Sequence, residues 1–115
     1  MKDQNRCLIA DASHPLISNQ TLLDETLLNN LDADAILALY EKFKSLTGLS
    51  LYAGYPINTL SGGQKVILMT YLCLLSPAQR INFRNLEHAL DQDKLKIIQS
   101  DIRISNKTIT LDSTE

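Results

Sequence analysis

Leu60-Ser61-Gly62-Gly63-Gln64-Lys65-Val66-Ile67-Leu68-Met69-Thr70-Tyr71-Leu72-Cys73-Leu74-Leu75 is the stretch on which the fold turns. From Val66 to Leu75 the residues are apolar save for Thr70. The run is far too short to span a bilayer and too long for a typical strand, so it reads as a helix buried on all sides. Ser61 stands where a helix cap belongs, and two glycines open the first turn. The rest of the chain has to supply the apolar surfaces that cover this helix.

Upstream, Thr21 with Asp24 three residues on resembles a capping box, and Leu22, Leu23, Leu27, Leu28 and Leu31 follow at helical spacing. Asp32 caps a second helix with Ile36, Leu39, Tyr40, Phe43 and Leu46 on one face, and Gly48 stops it. Leu49 to Thr59 reads as a loop containing Gly54, Pro56, Tyr52 and Tyr55. Downstream, Ser76-Pro77-Ala78-Gln79 has the form of a new helix start, which predicts a fourth helix with Phe83, Leu86, Ala89 and Leu90 facing inward. Cys7-Leu8-Ile9-Ala10 is a short strand candidate ended by Asp11-Ala12-Ser13-His14-Pro15. At the C-terminus, Leu95–Gln99 is rich in β-formers. Ile102, Ile104, Ile109 and Leu111 alternate with polar residues around Asn106-Lys107, which predicts a hairpin pairing Ile104 with Ile109. The expected class is α+β, about four helices with a small C-terminal antiparallel β-hairpin or sheet, in a single domain over residues 1–115.

Composition bounds the function. The 115 residues are 44% hydrophobic and 21% charged, as in ordinary globular chains. A net charge of −2 provides no electrostatic footprint for nucleic acid. The polar start Met1–Arg6 precedes too short an apolar run for a signal peptide, and no segment reads as a membrane span. Two cysteines, Cys7 and Cys73, without Cys-x-x-Cys spacing fit a reducing compartment, so a soluble cytoplasmic protein is expected. Cys73, inside the apolar run, reads as a core residue and a poor nucleophile. His14 and His88 are far apart in sequence, so no metal site is expected. Asp32 and Asp34 suit a helix start better than paired catalytic acids.

The start of the apolar helix carries the one candidate ligand site. Ser61, Gly62, Gly63 and Gln64 could bind phosphate: the glycines let backbone N–H groups approach an anion, and the helix N-terminus adds partial positive charge. The same residues could equally serve as a cap and nothing more. Tyr52 and Tyr55 are candidates for holding a partner, or for covering the core from the loop.

Leu60-Ser61-Gly62-Gly63-Gln64 is identical to the signature motif of ABC-type ATPases, and the chain resembles that family around it. The helices between Leu22 and Gly48 look like the helical subdomain that precedes the signature there. Ile81-Asn82-Phe83 lies in the place of the Walker B strand, and Ala89-Leu90-Asp91 lies about where the D-loop triplet falls. In that family the signature reaches across a dimer to the partner's nucleotide. The departures are large. The metal-binding acid and the catalytic glutamate would fall at Arg84 and Asn85, and the four glycines never form Gly-x-x-x-x-Gly-Lys-Ser/Thr. Phosphoryl transfer needs a phosphate cradle, a lysine and a metal acid together, so a complete ATPase is excluded and no catalytic residues or resident cofactor are expected. The expected role is a non-catalytic interaction or regulatory domain whose partner is another protein or a second copy. The alternative is a nucleotide- or phosphate-responsive module acting with a partner chain. A strand between Pro77 and Asp91, parallel to Leu95–Gln99, would extend the resemblance beyond the motif; a helix would confine it there.

Overall fold

The computed structural model describes residues 7–15 and 20–113. In chain order the elements are β1 (Cys7–Asp11), α1 (Leu22–Leu28), α2 (Ala33–Thr47), a 3₁₀ turn (Ile57–Thr59), α3 (Gly62–Leu75), β2 (Arg80–Arg84), α4 (Leu86–Ala89), α5 (Gln92–Arg103) and β3 (Thr108–Asp112). The α+β class holds, with a three-stranded sheet in the order β1-β2-β3. Both pairings are parallel, with Ile9, Asn82 and Thr110 in register across the sheet.

Local chemistry explains the helices upstream of β2. Thr21 and Asp24 form the capping box of α1, the Thr21 amide donating to Asp24 Oδ2 at 3.1 Å. Asp32 Oδ1 accepts from the Ala35 amide at 2.9 Å to start α2, and Gly48 ends it at φ +81°, a left-handed position that glycine adopts without a Cβ penalty. Every residue of α3 from Val66 to Cys73 is buried, as the apolar run predicts. Thr70 sits in this dry environment by donating its hydroxyl to the Val66 carbonyl at 2.9 Å.

Three expectations downstream are corrected. Ser76-Pro77 closes α3 instead of opening a helix. Proline forces the residue before it into extended backbone, so Ser76 has ψ 165°, and its hydroxyl donates back to the Cys73 carbonyl at 2.7 Å. The following Arg80-Ile81-Asn82-Phe83-Arg84 alternates polar and apolar, and Ile81 and Phe83 are buried in the core as a strand. Leu95–Gln99 is helical, because Asp91 caps α5 and Leu95, Ile98 and Ile102 bury one helical face. The antiparallel hairpin is therefore absent. Ile102 is spent on α5, and the left-handed Asn106 turns the chain from helix into β3 instead of from strand to strand. Lys107, read as a turn residue, donates its ammonium to the Ser76 carbonyl at 2.8 Å and to the Ala78 carbonyl. Partial burial holds its pKa below the usual lysine value.

Strand order and handedness then set the layers. Each step from β1 to β2 to β3 moves the same way across the sheet, and right-handed crossovers put both helical connections on one face. Ala10, Ile81 and Phe83 enter the core from that face, with Leu8 and Ile109 packed against it. Asp11, Asn82, Arg84, Thr110 and Asp112 alternate onto the other. A helix that runs back to feed a parallel strand has its N-terminus at the carboxyl end of the sheet. Both α3 and α5 therefore begin at the end where open parallel sheets bind ligands.

The corrected topology has opposite consequences for two isoleucines. Ile98 is fully buried, whereas Ile104 is 73% exposed. Ile98→Ala should cost about 2–5 kcal/mol in urea unfolding, and Ile104→Ser less than about 0.5 kcal/mol. A hairpin pairing Ile104 with Ile109 would make Ile104 costly.

Candidate functional site at the start of α3

The candidate phosphate residues form a closed cap. The Ser61 amide donates to Gln64 Oε1 at 2.9 Å, and Ser61 Oγ accepts from the Gln64 amide at 3.2 Å. The Lys65 amide bonds the Ser61 carbonyl at 2.9 Å. Both side chains named as ligand groups are thus already used by the helix. What remains are the amides of Gly62 and Gly63, the first two helical N–H groups, for which no described residue provides an acceptor.

Neither glycine is demanded by backbone strain, since only Gly48 among the glycines has positive φ. A Cβ at Gly62 would meet nothing within 4 Å, and one at Gly63 would lie 3.8 Å from the Ala89 carbonyl, an ordinary contact. The chain's own packing therefore explains neither residue, although glycine is a weak helix former.

Ala89-Leu90-Asp91 lies directly opposite. Its residues line a cavity of about 290 Å³ with Ser61, Gly63, Gln64 and Lys94, and Leu46, Thr47 and Ile67 form the rest of the wall. Asp91 caps α5 through the Lys94 amide at 2.9 Å and pairs with the Lys94 ammonium at 3.2 Å. The amide first and the ammonium second hold its carboxyl below the usual aspartate range. The starts of α3 and α5 thus open on one cavity, where the α3 terminus faces the Asp91 carboxylate, whose charge the α5 terminus and the Lys94 ammonium offset. Lys94 was not singled out from sequence. Its signal is the Asp91 cap ahead of Leu95, Ile98 and Ile102.

At the carboxyl end of β2, Arg84 and Asn85 are locked in a polar network. Asn82 donates its amide to Thr110 Oγ1 at 2.7 Å and Asp112 Oδ2 at 2.9 Å, and its Oδ1 accepts from Arg84 Nε at 2.6 Å. Asn85, left-handed at φ 65°, donates its side-chain amide to Asp11 Oδ1 at 3.1 Å. With the Ser13 amide as the larger cause, this bond holds the Asp11 carboxyl below its ordinary value. A divalent cation does not fit here: a guanidinium occupies the place of the metal acid, and neighbouring carboxylates already accept from Asn82 and Asn85. Among the described residues no three metal-ligating side chains form a cluster.

The remaining candidates are placed as follows. Tyr52 and Tyr55 have ring centroids 5.1 Å apart; Tyr52 is 57% exposed, while Tyr55 packs partly against the core. His88 Nε2 bonds Ser113 Oγ at 2.8 Å, and His14 lines a separate cavity beside β1. Cys73 is buried, and desolvation pushes its thiol up to about 12. No helix among the described residues is long and apolar enough to cross a membrane.

No protein-family model matches the sequence, and no curated protein matches it. Solved structures do. The dimeric bacterial ABC transporter cassette MJ0796 is similar with a TM-score of 0.70 at 18% identity, over 97% of this chain and 53% of that one. The ATP-binding subunit of an ABC transporter gives 0.70 at 15% identity, over 91% of this chain and 48% of that one. CbiO1 from Clostridium perfringens, part of the ABC transporter complex cbiONQ, gives 0.61 at 17% identity, over 99% and 48%. The fold is similar to part of an ABC transporter ATPase cassette, and the chain spans about half the length of the structures it matches.

Substitutions at the cap separate what the fold needs from what it does not. Ser61→Ala should cost about 1 kcal/mol in urea unfolding. Gly62→Ala should be neutral or stabilise by up to about 1 kcal/mol, since a methyl meets open space. A loss above about 1 kcal/mol in Gly62→Ala would mean the glycine serves the fold.

Proposed function

We propose that this chain is a non-catalytic module of the ABC ATPase kind that offers the start of α3 to a nucleotide phosphate held by a partner chain. The observation that carries the reading is the pair of unclaimed Gly62 and Gly63 amides at the start of α3, where Gly63 lines a cavity with Ala89–Asp91 on a cassette-like fold. An anion there would satisfy two orphan donors and meet the α3 dipole, with Lys94 nearby. Ser61 and Gln64 act by holding the first turn in place, and phosphate would contact the backbone more than their side chains.

Hydrolysis is outside this role. The chain has no phosphate loop, and Arg84 and Asn85 can neither hold a metal nor accept a proton from water. The module would sense the nucleotide through α3 and pass the consequence to α2, which packs against α3. One family resemblance supports a partner as the source of the phosphate, since a signature loop reaches a nucleotide in trans.

A second reading, a protein-interaction or regulatory domain, is favoured by one surface. Leu27 on α1 is largely exposed, and the Leu23 amide bonds the Ala53 carbonyl at 2.8 Å, tying α1 to the loop bearing exposed Tyr52. The two readings are compatible, because a nucleotide-bearing partner needs a surface to dock on.

Titrating pyrophosphate or ATP into the labelled chain tests the proposal. Amide resonances of Gly62 and Gly63 should move at millimolar ligand, more than those of Tyr52 and Tyr55, and without phosphate release. Absence of movement at Gly62 and Gly63 would remove the phosphate reading and leave the interaction domain.

A further inference from the structure

Among the described residues the outer edge of β3 has no partner strand, and that edge is self-complementary. The Thr108 amide donates to the Gln79 carbonyl and the Asp112 carbonyl accepts from the Asn85 amide, both at 2.8 Å, so Thr108, Thr110 and Asp112 turn their peptide groups toward β2. Peptide groups alternate along a strand, which leaves the N–H and C=O of Ile109 and Leu111 pointing outward. Among the described residues β2 is the one strand paired with β3. Edge strands are ordinarily guarded by lysine, proline, a bulge or charge. Thr108-Ile109-Thr110-Leu111 has none of these, and charge enters only at Asp112. Leu111 lies on the helical side of the sheet yet is 56% exposed.

We propose that β3 pairs antiparallel with β3 of a second copy, about a two-fold axis through Thr110. In that register Ile109 lies opposite Leu111 in both directions, and all the outward groups of the two residues meet in reciprocal hydrogen-bonded pairs. Thr110 faces Thr110 at the closely spaced position between them, and Thr108 faces Asp112. Apolar residues meet apolar ones on the helical face, and polar residues meet polar ones on the other, with no like charges opposed. Any other register of the same parity sets Ile109 or Leu111 against a residue outside the strand. The two-fold axis runs perpendicular to the sheet, so both sets of helices stay on one side, the isologous arrangement of a closed dimer.

Sedimentation of the 115-residue chain across concentrations tests this. A species of twice the 12.9 kDa chain mass should form as concentration rises. Leu111→Lys places a charge at the seam, and Leu111→Pro removes an outward donor while leaving the β2–β3 bonds intact. Each should raise the dimer dissociation constant about tenfold or more, with unchanged far-UV circular dichroism. Ile9→Lys, on β1, should leave the dimer in place. In the unaltered chain, exchange of the Ile109 and Leu111 amides should slow with concentration, a readout independent of any variant's folding. A monomer at every concentration, or a dimer that survives both Leu111 variants or is lost in Ile9→Lys, would overturn the proposal. The surface does not involve α3's N-terminus, so its failure leaves the phosphate reading standing.

Discussion

Ile81 and Phe83 are almost wholly withdrawn from water, and the strand that carries them is flanked on both sides by parallel neighbours. Parallel neighbours cannot be joined by tight turns; each connection has to travel back along the sheet, and here helices do so. That constraint arranges the rest of the molecule. It brings α3 and α5 onto one face and sets their starts at the same end of the sheet. It also leaves the other face to Asp11, Asn82, Arg84 and Asp112. Burial of α3 over Val66–Cys73 follows, because that helix lies between α2 and the sheet.

The same constraint accounts for what could be read from sequence. Helix starts were legible because their chemistry is local: Thr21, Asp32 and Ser61 each cap within three residues, and Gly48 stops α2. Local pattern missed strand β2, because Ser76-Pro77 carries the composition of a helix start while its backbone role depends on the end of α3; only the family resemblance put a strand at Ile81-Asn82-Phe83. The C-terminal hairpin failed for a related reason. Ile102, Ile104, Ile109 and Leu111 satisfy a period of two, but Leu95, Ile98 and Ile102 satisfy the helical period as well, and burial of Ile98 decides between them. Pairing direction is a tertiary property, and alternation alone does not encode it.

At the candidate site, local reading recovered the cap and missed its surroundings. Ser61 and Gln64 are engaged with one another, so the groups free to meet an anion are the amides of Gly62 and Gly63. Opposition to Ala89–Asp91 and Lys94 needs β2, α4 and α5 in their places, which no pattern around Gly62 specifies. The Arg84 and Asn85 substitutions were visible as letters. Their engagement gives those letters a structural job: Arg84 bonds Asn82 within β2, and Asn85 bonds Asp11 at the end of β1.

The placement of β2 can be measured directly by nuclear Overhauser contacts across the sheet. Asn82 should show cross-strand backbone contacts to both Ile9 and Thr110, its registered neighbours. Contacts between Ile104 and Ile109, with none from Asn82 to either strand, would contradict the parallel sheet and the site built upon it.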